Sequence, residues 1–292
     1  MAEFRLLDGR GVLAIGGEER RDWLQGLITN DTHAIGPDRG IYAALLSAHG
    51  KFLHDMILAE APDGTWLVDC EAARAADLLK RLTLYRLRTK VTLKDTGADW
   101  AVAAVMGSDA AAKLGLGGEV GQARALAGGV ALVDPRDARL GVRVYLPRAG
   151  AAAALVGLGL AEGGDYEALR LGLGIPDGSR DIAVDKAFLL ECNFEALHGV
   201  AFDKGCYVGQ ENTARTKHRA SLRKRLMRVD LDAAPPPPGT PILLAGEEVG
   251  EVRSGAGRCA IALLRLEPLE KAAAEALPLT AAGARVTPVP SP

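Results

Sequence analysis

Two apolar runs, Ile41 to Ser47 and Phe52 to Ala59, are separated only by Ala48-His49-Gly50-Lys51. So short a polar break containing glycine predicts a hairpin, which commits this part of the chain to antiparallel pairing. A third strand is expected from Thr65 to Asp69, after the Pro62-Asp63-Gly64 turn. Upstream, Trp23, Leu24 and Leu27 recur at helical spacing within Glu18 to Leu27, behind early acidic residues and ahead of the polar Thr29-Asn30-Asp31 turn. That pattern predicts a short helix. A second helix is expected from Glu71 to Leu84 and a further strand from Lys90 to Lys94. Helices and strands mix without strict alternation, so the fold class reads as α+β rather than doubly wound.

Three more strand-like runs, Trp100 to Met106, Val130 to Val133 and Gly141 to Leu146, are separated by alanine- and glycine-rich segments and suggest a second small α+β unit. Tyr166 to Leu173 should be helical, stopped by Gly174-Ile175-Pro176-Asp177-Gly178. Pro235 to Pro238 form a stiff polyproline element that cannot join an internal ladder. Alternating runs lie on both sides of it, at Leu226 to Leu231, Ile242 to Leu244, Glu248 to Val252 and Ile261 to Leu266. The prolines are therefore placed in a loop of an antiparallel β domain. The expected division is 1–97 as an α+β domain completed by 165–223, 98–164 as a small α+β domain, and 224–292 as the β domain.

The 292 residues, 48% hydrophobic and 25% charged, suffice for a sizeable core. With only 4% aromatics that core must be aliphatic. A net charge of -2 makes no whole-molecule case for nucleic acid or a membrane surface. Cys70, Cys192, Cys206 and Cys259 form no C-x-x-C pair, which argues against a zinc knuckle, a thioredoxin site or a secreted disulfide framework. A reducing, cytoplasmic location is expected. The opening MAEFRLLDGRG has charges throughout and no apolar stretch of 18 residues follows, so neither export nor a membrane span is expected. No dinucleotide or phosphate-loop glycine pattern occurs.

Chemistry concentrates in Phe202 to Arg215, FDKGCYVGQENTAR. Lys204 stands two residues before Cys206, and a nearby cation raises the thiolate fraction of a thiol. A thiolate can attack an electrophile or hold a soft metal. Gly205 and Gly209 bracket the cysteine as two turns around an exposed rung. Residue types alone leave equally open a tight turn with a half-buried structural cysteine.

The run KGCYVGQE, with TARTKHR and RKRL downstream, resembles the signature of the YgfZ-type folate-binding proteins of iron-sulfur cluster assembly and repair, relatives of the glycine-cleavage T-protein, an aminomethyltransferase. RDWLQGLITND, IYAALLSAHGKFLHDMIL and KRLTLYRLRTKVTLKD fall in the order expected of the same family. The resemblance implies a T-protein-like multi-domain folate-binding fold with a C-terminal antiparallel β-barrel. It also implies tetrahydrofolate or a derivative as ligand and iron-sulfur carrier or client proteins as partners; a monomer is the default expectation.

Residue roles follow from the same resemblance. T-proteins place a pteridine-binding glutamate in an L-x-L-E-A-G segment; the matching stretch is Phe188 to Asn193, which makes Glu191 the pterin acceptor, with Asn193 beside it. A carboxylate suits a pterin because it accepts two parallel N–H bonds. Tyr42 and Asp55 keep the thirteen-residue separation of a folate-facing tyrosine and aspartate, although His54 stands where T-proteins have a second acid. Asp55 is thus a candidate for acid-base work at a folate nitrogen, and His54, on the opposite face of its strand, is expected at the surface. Arg223 matches a folate-contacting arginine, and Tyr207 is a further folate contact or packing anchor. Gln210 and Glu211, with Gly205 and Gly209, are expected to fix the loop. T-proteins carry an acid where this chain has Cys206, which disfavours a plain transferase and favours a thiol that ligates a transient or shared iron-sulfur cluster.

Eight basic residues between Asp203 and Arg228 (Lys204, Arg215, Lys217, Arg219, Arg223, Lys224, Arg225, Arg228) face two acids. They suit the anionic tail of folate. An RNA-binding role in tRNA modification is the competing use, but Tyr207 alone offers a stacking ring there. Cys70 and Cys259 are expected as small core residues, and Cys192 as structural. The sequence thus supports a folate-binding factor of iron-sulfur cluster maintenance more than a classical enzyme, with a tetrahydrofolate-dependent aminomethyltransferase as the alternative.

Overall fold

A computed structural model describes residues 1–219 and 222–289, leaving the side chains of residues 218 and 219 aside. These residues form two compact units. The first comprises Met1–His49, Leu53–Tyr166 and Glu195–Gln210; the second comprises Gly50–Phe52, Glu167–Phe194 and the chain from Glu211 onward.

The first unit holds two sheets. One runs Ile41–Leu46, Phe52–Glu60, Trp66–Glu71, Arg10–Gly16 and Thr92–Asp95 in spatial order. The expected hairpin is its edge, and the third strand pairs as anticipated, with Ile57 opposite Asp69 and Leu58 opposite Val68. The helices Arg20–Gln25 and Ala75–Arg86 lie against this sheet, burying Trp23, Leu24, Leu78 and Leu82 with Leu13, Met56 and Trp66. Most of that core is aliphatic, and Trp66 is fully buried. The strand Arg10–Gly16 escapes a sequence reading because its apolar residues are not flanked by turn signals strong enough to isolate it.

The other sheet orders Ala161–Glu162, Glu3–Leu6, Trp100–Met106, Val142–Pro147, Gly129–Val133 and Ala123–Leu126. The chain's first strand, Glu3–Leu6, therefore pairs with the supposed second domain, at Leu6 opposite Ala103. Such a pairing joins residues about a hundred positions apart and has no local signature.

In the second unit six strands close a barrel in the order Lys224–Leu231, Cys259–Arg265, Glu247–Ala256, Pro241–Leu244, Leu279–Ala281 and Ala284–Val289. Val229, Ile242, Val252, Ala262, Leu264 and Val286 fill it. Closure removes the exposed edges that a small sheet would otherwise present. Asp181 ties the preceding helical segment to the barrel. Its carboxylate accepts from Arg170 Nη1 at 2.9 Å and from the backbone N–H of Ser254 at 2.9 Å. Both Arg170 and Asp181 are buried, so each depends on the other to offset its lost hydration. No described helix is long and apolar enough to cross a membrane.

Candidate functional site

The signature forms an exposed loop of the first unit. Gly205 and Gly209 adopt φ of 92° and 82°, which L side chains rarely take, so the two predicted turns around Cys206 require glycine. Tyr207 donates its backbone N–H to Gln210 Oε1 at 3.1 Å, and Val208 donates to the Gly26 carbonyl at 3.1 Å. The helix Gln210–Arg219 then begins, with Glu211 exposed in its first turn. Neither this helix nor its start is evident from composition, because its residues are polar all round.

Of the four cysteines, Cys206 is the exposed one. Burial pushes the Cys70 thiol up to about 12 and raises Cys192 further still. Cys259 is half-buried and donates to Asp230 Oδ1 at 3.4 Å, so it is less of a core residue than its apolar flank suggests. Among the described residues no group of three or more His, Cys, Asp or Glu side chains is arranged to hold a metal ion.

Lys204 has a different immediate task from the one expected. Its ammonium donates to the carbonyls of Ile28 and Asn30, both at 2.7 Å, and lies 5.2 Å from the centre of the Tyr207 ring. The loop carbonyl of Lys204 in turn accepts from Gln25 Nε2 at 3.3 Å. These bonds pin the cysteine loop to the turn after the first helix. Burial lowers the Lys204 pKa to about 8, against the opposing pull of Asp31.

Tyr42 and Asp55, also in the first unit, meet in the interior, where the Tyr42 hydroxyl donates to Asp55 Oδ2 at 3.1 Å. Tyr42 is 1% exposed and Asp55 4%. Burial first, and then the Asp55 charge, push the tyrosine pKa well above its ordinary value. Beside Tyr42, at 5.7 Å from its ring, sits the Arg136 guanidinium. Arg136 belongs to a buried ionic cluster. It donates to Asp134 Oδ2 at 2.8 Å and to the Tyr166 hydroxyl at 2.7 Å. Arg143 donates to Tyr166 at 2.8 Å and to Asp134 at 3.2 Å, and its Nη1 lies 3.2 Å from Asp69 without hydrogen-bond alignment. Arg10 and Tyr145 also donate to Asp69. Burial alone would raise Asp134, but Arg136 and Arg143 outweigh it and hold its carboxyl down at about 2. The sequence hides this cluster, since Asp134-Pro135-Arg136 reads as an ordinary polar turn.

A cavity of about 360 Å³ opens on the Tyr42 side of this region, with Asn30, Arg39, Glu119 and His198 among its lining residues. Asn30 Nδ2 donates to the carbonyls of Tyr42 and His198, both at 2.7 Å, and thereby shapes the cavity wall.

His54 is not at the surface. It is 3% exposed, and its Nε2 is 2.8 Å from Asp77 Oδ2 on the helix Ala75–Arg86. The opposite face of the strand is covered by that helix, which strand alternation alone could not reveal.

Glu191, Asn193 and Arg223 belong to the second unit. Glu191 lies in the 3-10 turn Leu189–Cys192, and its Oε2 accepts from the Phe188 N–H at 3.4 Å and pairs with Lys224 at 3.6 Å. Both contacts fall on one oxygen, which leaves Oε1 without a protein partner among the described residues. Asn193, at φ 62°, closes the turn and donates Nδ2 to the Leu226 carbonyl at 2.9 Å, which makes it a brace for the barrel strand. Arg223 is exposed. The basic stretch is dispersed: Arg228 pairs with Asp230, Lys224 with Glu191, Arg215 and Lys217 lie exposed on their helix, and the side chain of Arg219 lies outside the described residues.

Residues 9–116 match the GCVT N-terminal domain family and residues 223–292 the CAF17 C-terminal beta-barrel domain. The human protein named iron-sulfur cluster assembly factor IBA57, mitochondrial, is 37% identical over 281 residues, covering 90% of this chain and 78% of the human one. The mouse protein of the same name is 34% identical, also covering 90% and 78%, and a Neurospora crassa homologue is 32% identical over 76% of this chain and 52% of its own. The solved glycine cleavage system aminomethyltransferase T of Bartonella henselae superposes with a TM-score of 0.77 over 99% of this chain and 84% of that one, at 17% identity. That likeness establishes the T-protein-like fold with its terminal barrel. The expected cytoplasmic location is overturned, because these relatives are named mitochondrial proteins. Unpaired cysteines argue against an oxidising compartment but do not choose among reducing ones.

Proposed function

This chain belongs to the CAF17/IBA57 family of iron-sulfur cluster assembly factors, with a GcvT-like N-terminal domain and a C-terminal β-barrel, and from that premise we propose that it handles a cluster through Cys206 as a factor of the YgfZ type that also binds tetrahydrofolate. The observation that carries the reading is the exposure of the Cys206 thiol between two glycine turns, while Cys70 and Cys192 are buried. Thiolate is the usual ligand of such clusters, and a single thiol leaves the remaining iron positions to another molecule. The cluster is therefore cargo, held jointly with a carrier or client protein. Lys204 keeps the loop in place for this encounter by bonding the carbonyls of Ile28 and Asn30.

For folate, the donor and acceptor chemistry of the residues fits. Glu191 offers a carboxylate oxygen without a protein partner among the described residues, suited to the N–H donors of a pterin, while its other oxygen pairs with Lys224. Asp55, held by Tyr42, is the group suited to accept or return a proton. Bound folate would supply a one-carbon carrier; the residues contribute recognition and proton handling.

The test is anaerobic reconstitution of the chain mixed with an iron-sulfur carrier protein, followed by absorption and circular dichroism spectra. Cluster bands that require both proteins and vanish with Cys206→Ser are expected. Bands unchanged by that substitution would remove Cys206 from the role. The buried Tyr42–Asp55 pair favours a second reading, tetrahydrofolate-dependent aminomethyl transfer, which predicts transferase turnover that survives Cys206→Ser and is lost in Asp55→Asn.

A further inference from the structure

Away from the cysteine loop, the end of the helix Ala75–Arg86 carries three large apolar side chains in the open within four residues. Leu84 is 69% exposed, Tyr85 43% and Leu87 86%. Leu87 also sits at φ 45°, a conformation that disfavours any residue with a Cβ, and its outward side chain has no packing to compensate. Glycine is the residue that would relieve this turn. The turn is nonetheless rigidly presented. Trp23 Nε1 donates to the Tyr85 carbonyl at 3.0 Å, and the N–H and hydroxyl of Thr89 both donate to the Arg86 carbonyl.

A cavity of about 300 Å³ opens beside these residues, lined by Leu45, Leu46, Leu53, Leu84, Tyr85 and Arg81 among others. It stands at the small end of ligand pockets, which span about 300–1,000 Å³. That size suits an anchoring side chain better than a whole cofactor. The surrounding stretch Lys80 to Lys90 holds five cations and no acid. Arg81 pairs with Asp77 and Lys90 with Glu18, whereas Lys80, Arg86 and Arg88 have no carboxylate within ion-pair distance among the described residues.

We propose that this surface docks an acidic segment of a partner protein, which seats one large apolar side chain in the cavity between Leu46 and Leu84. Charge complementarity selects the occupant, because Arg81 lines the cavity and Lys80, Arg86 and Arg88 stand in the same acid-free stretch as the cavity residues Leu84 and Tyr85, a local excess of positive charge that attracts carboxylates. A second copy of the chain would bring the same cations against these in a two-fold contact, which repels. A lipid surface has no discrete side chain to fill the pocket. The inference is independent of Cys206 and of folate, and its test uses neither.

The experiment is fluorescence anisotropy of the full chain with a labelled peptide, Glu-Glu-Asp-Leu-Phe-Glu-Asp-Glu, and with its Ser-Ser counterpart lacking the central apolar pair. The Leu-Phe peptide should bind roughly tenfold or more tightly than the Ser-Ser one. Leu84→Ser, Leu87→Gly and the double substitution Arg86→Glu with Arg88→Glu should each weaken it by about tenfold. Leu87→Gly should do so without lowering the melting temperature, which separates lost contact from lost fold. Equal affinity for the two peptides, or affinity unchanged by the substitutions, would overturn the proposal. So would preferential binding to phosphatidylglycerol vesicles, or a dimer that the same substitutions dissolve.

Discussion

The hydroxyl of Tyr42 donates to the carboxylate of Asp55 at 3.1 Å across two neighbouring strands. Tyr42→Phe removes the donor and leaves the buried carboxylate one bond short, at a cost of about 1–3 kcal/mol. Urea denaturation should show that loss. A proton-handling role for Asp55 predicts in addition that Tyr42→Phe alters tetrahydrofolate binding measured by calorimetry, whereas a merely structural pair would leave affinity unchanged.

Arg143 is 3% exposed between the carboxylates of Asp69 and Asp134. Arg143→Met would leave two buried acids with less compensation, and breaking such a pair typically costs about 3–5 kcal/mol. Chemical denaturation should register a loss of this size, much larger than for the exposed Arg39 and Glu119 pair, where the exposure of both partners screens the attraction.

His54 gives a pH signature of stability. Burial, reinforced by the Arg74 charge, lowers its pKa from 6.5 to about 4 despite the Asp77 contact. The unfolded chain therefore takes up this proton first as pH falls. The stability contribution is complete above pH 6.5, declines between 6.5 and 4, and is lost below, with a total on the order of 3 kcal/mol. His54→Gln should flatten this part of the stability profile, and a ring titration by NMR should show a neutral imidazole at pH 6.

Lys204 should react as an unusually nucleophilic amine. Its pKa near 8 predicts that labelling by a trace amine reagent, read by mass spectrometry, rises through pH 8 while the surface lysines rise later. Since the folded pKa lies below the free lysine value, the unfolded chain binds the proton more tightly, and this residue's contribution to stability increases between pH 8 and 10.5. Lys204→Met should loosen the cysteine loop and speed modification of Cys206 by a thiol reagent.

Cys206 should be the fast thiol. In the native chain a disulfide-exchange reagent should modify one cysteine rapidly, and Cys206→Ser should abolish that phase, because Cys70 and Cys192 are buried with raised pKa values. Rapid modification persisting in Cys206→Ser would place the accessible thiol at Cys259.

Local patterns were enough for what local interactions decide. The hairpin around Gly50, the strand from Trp100, the alternating barrel strands and the glycine turns at Gly205 and Gly209 all follow from side-chain period and backbone conformational freedom, which act within a few residues. Tyr42 and Asp55 stood out in the sequence through a separation that resembles the T-protein pair, but their hydrogen bond is visible in the fold alone. Tertiary structure decided the rest. Only packing could bury His54 under a helix, turn Lys204 toward the carbonyls of Ile28 and Asn30, or join Asp69 with Asp134, Arg136 and Arg143. In each case a polar side chain that would be at home in water is desolvated by distant parts of the chain and satisfied by partners tens of residues away. The free energy of that exchange depends on three-dimensional neighbours, which residue type and spacing do not encode.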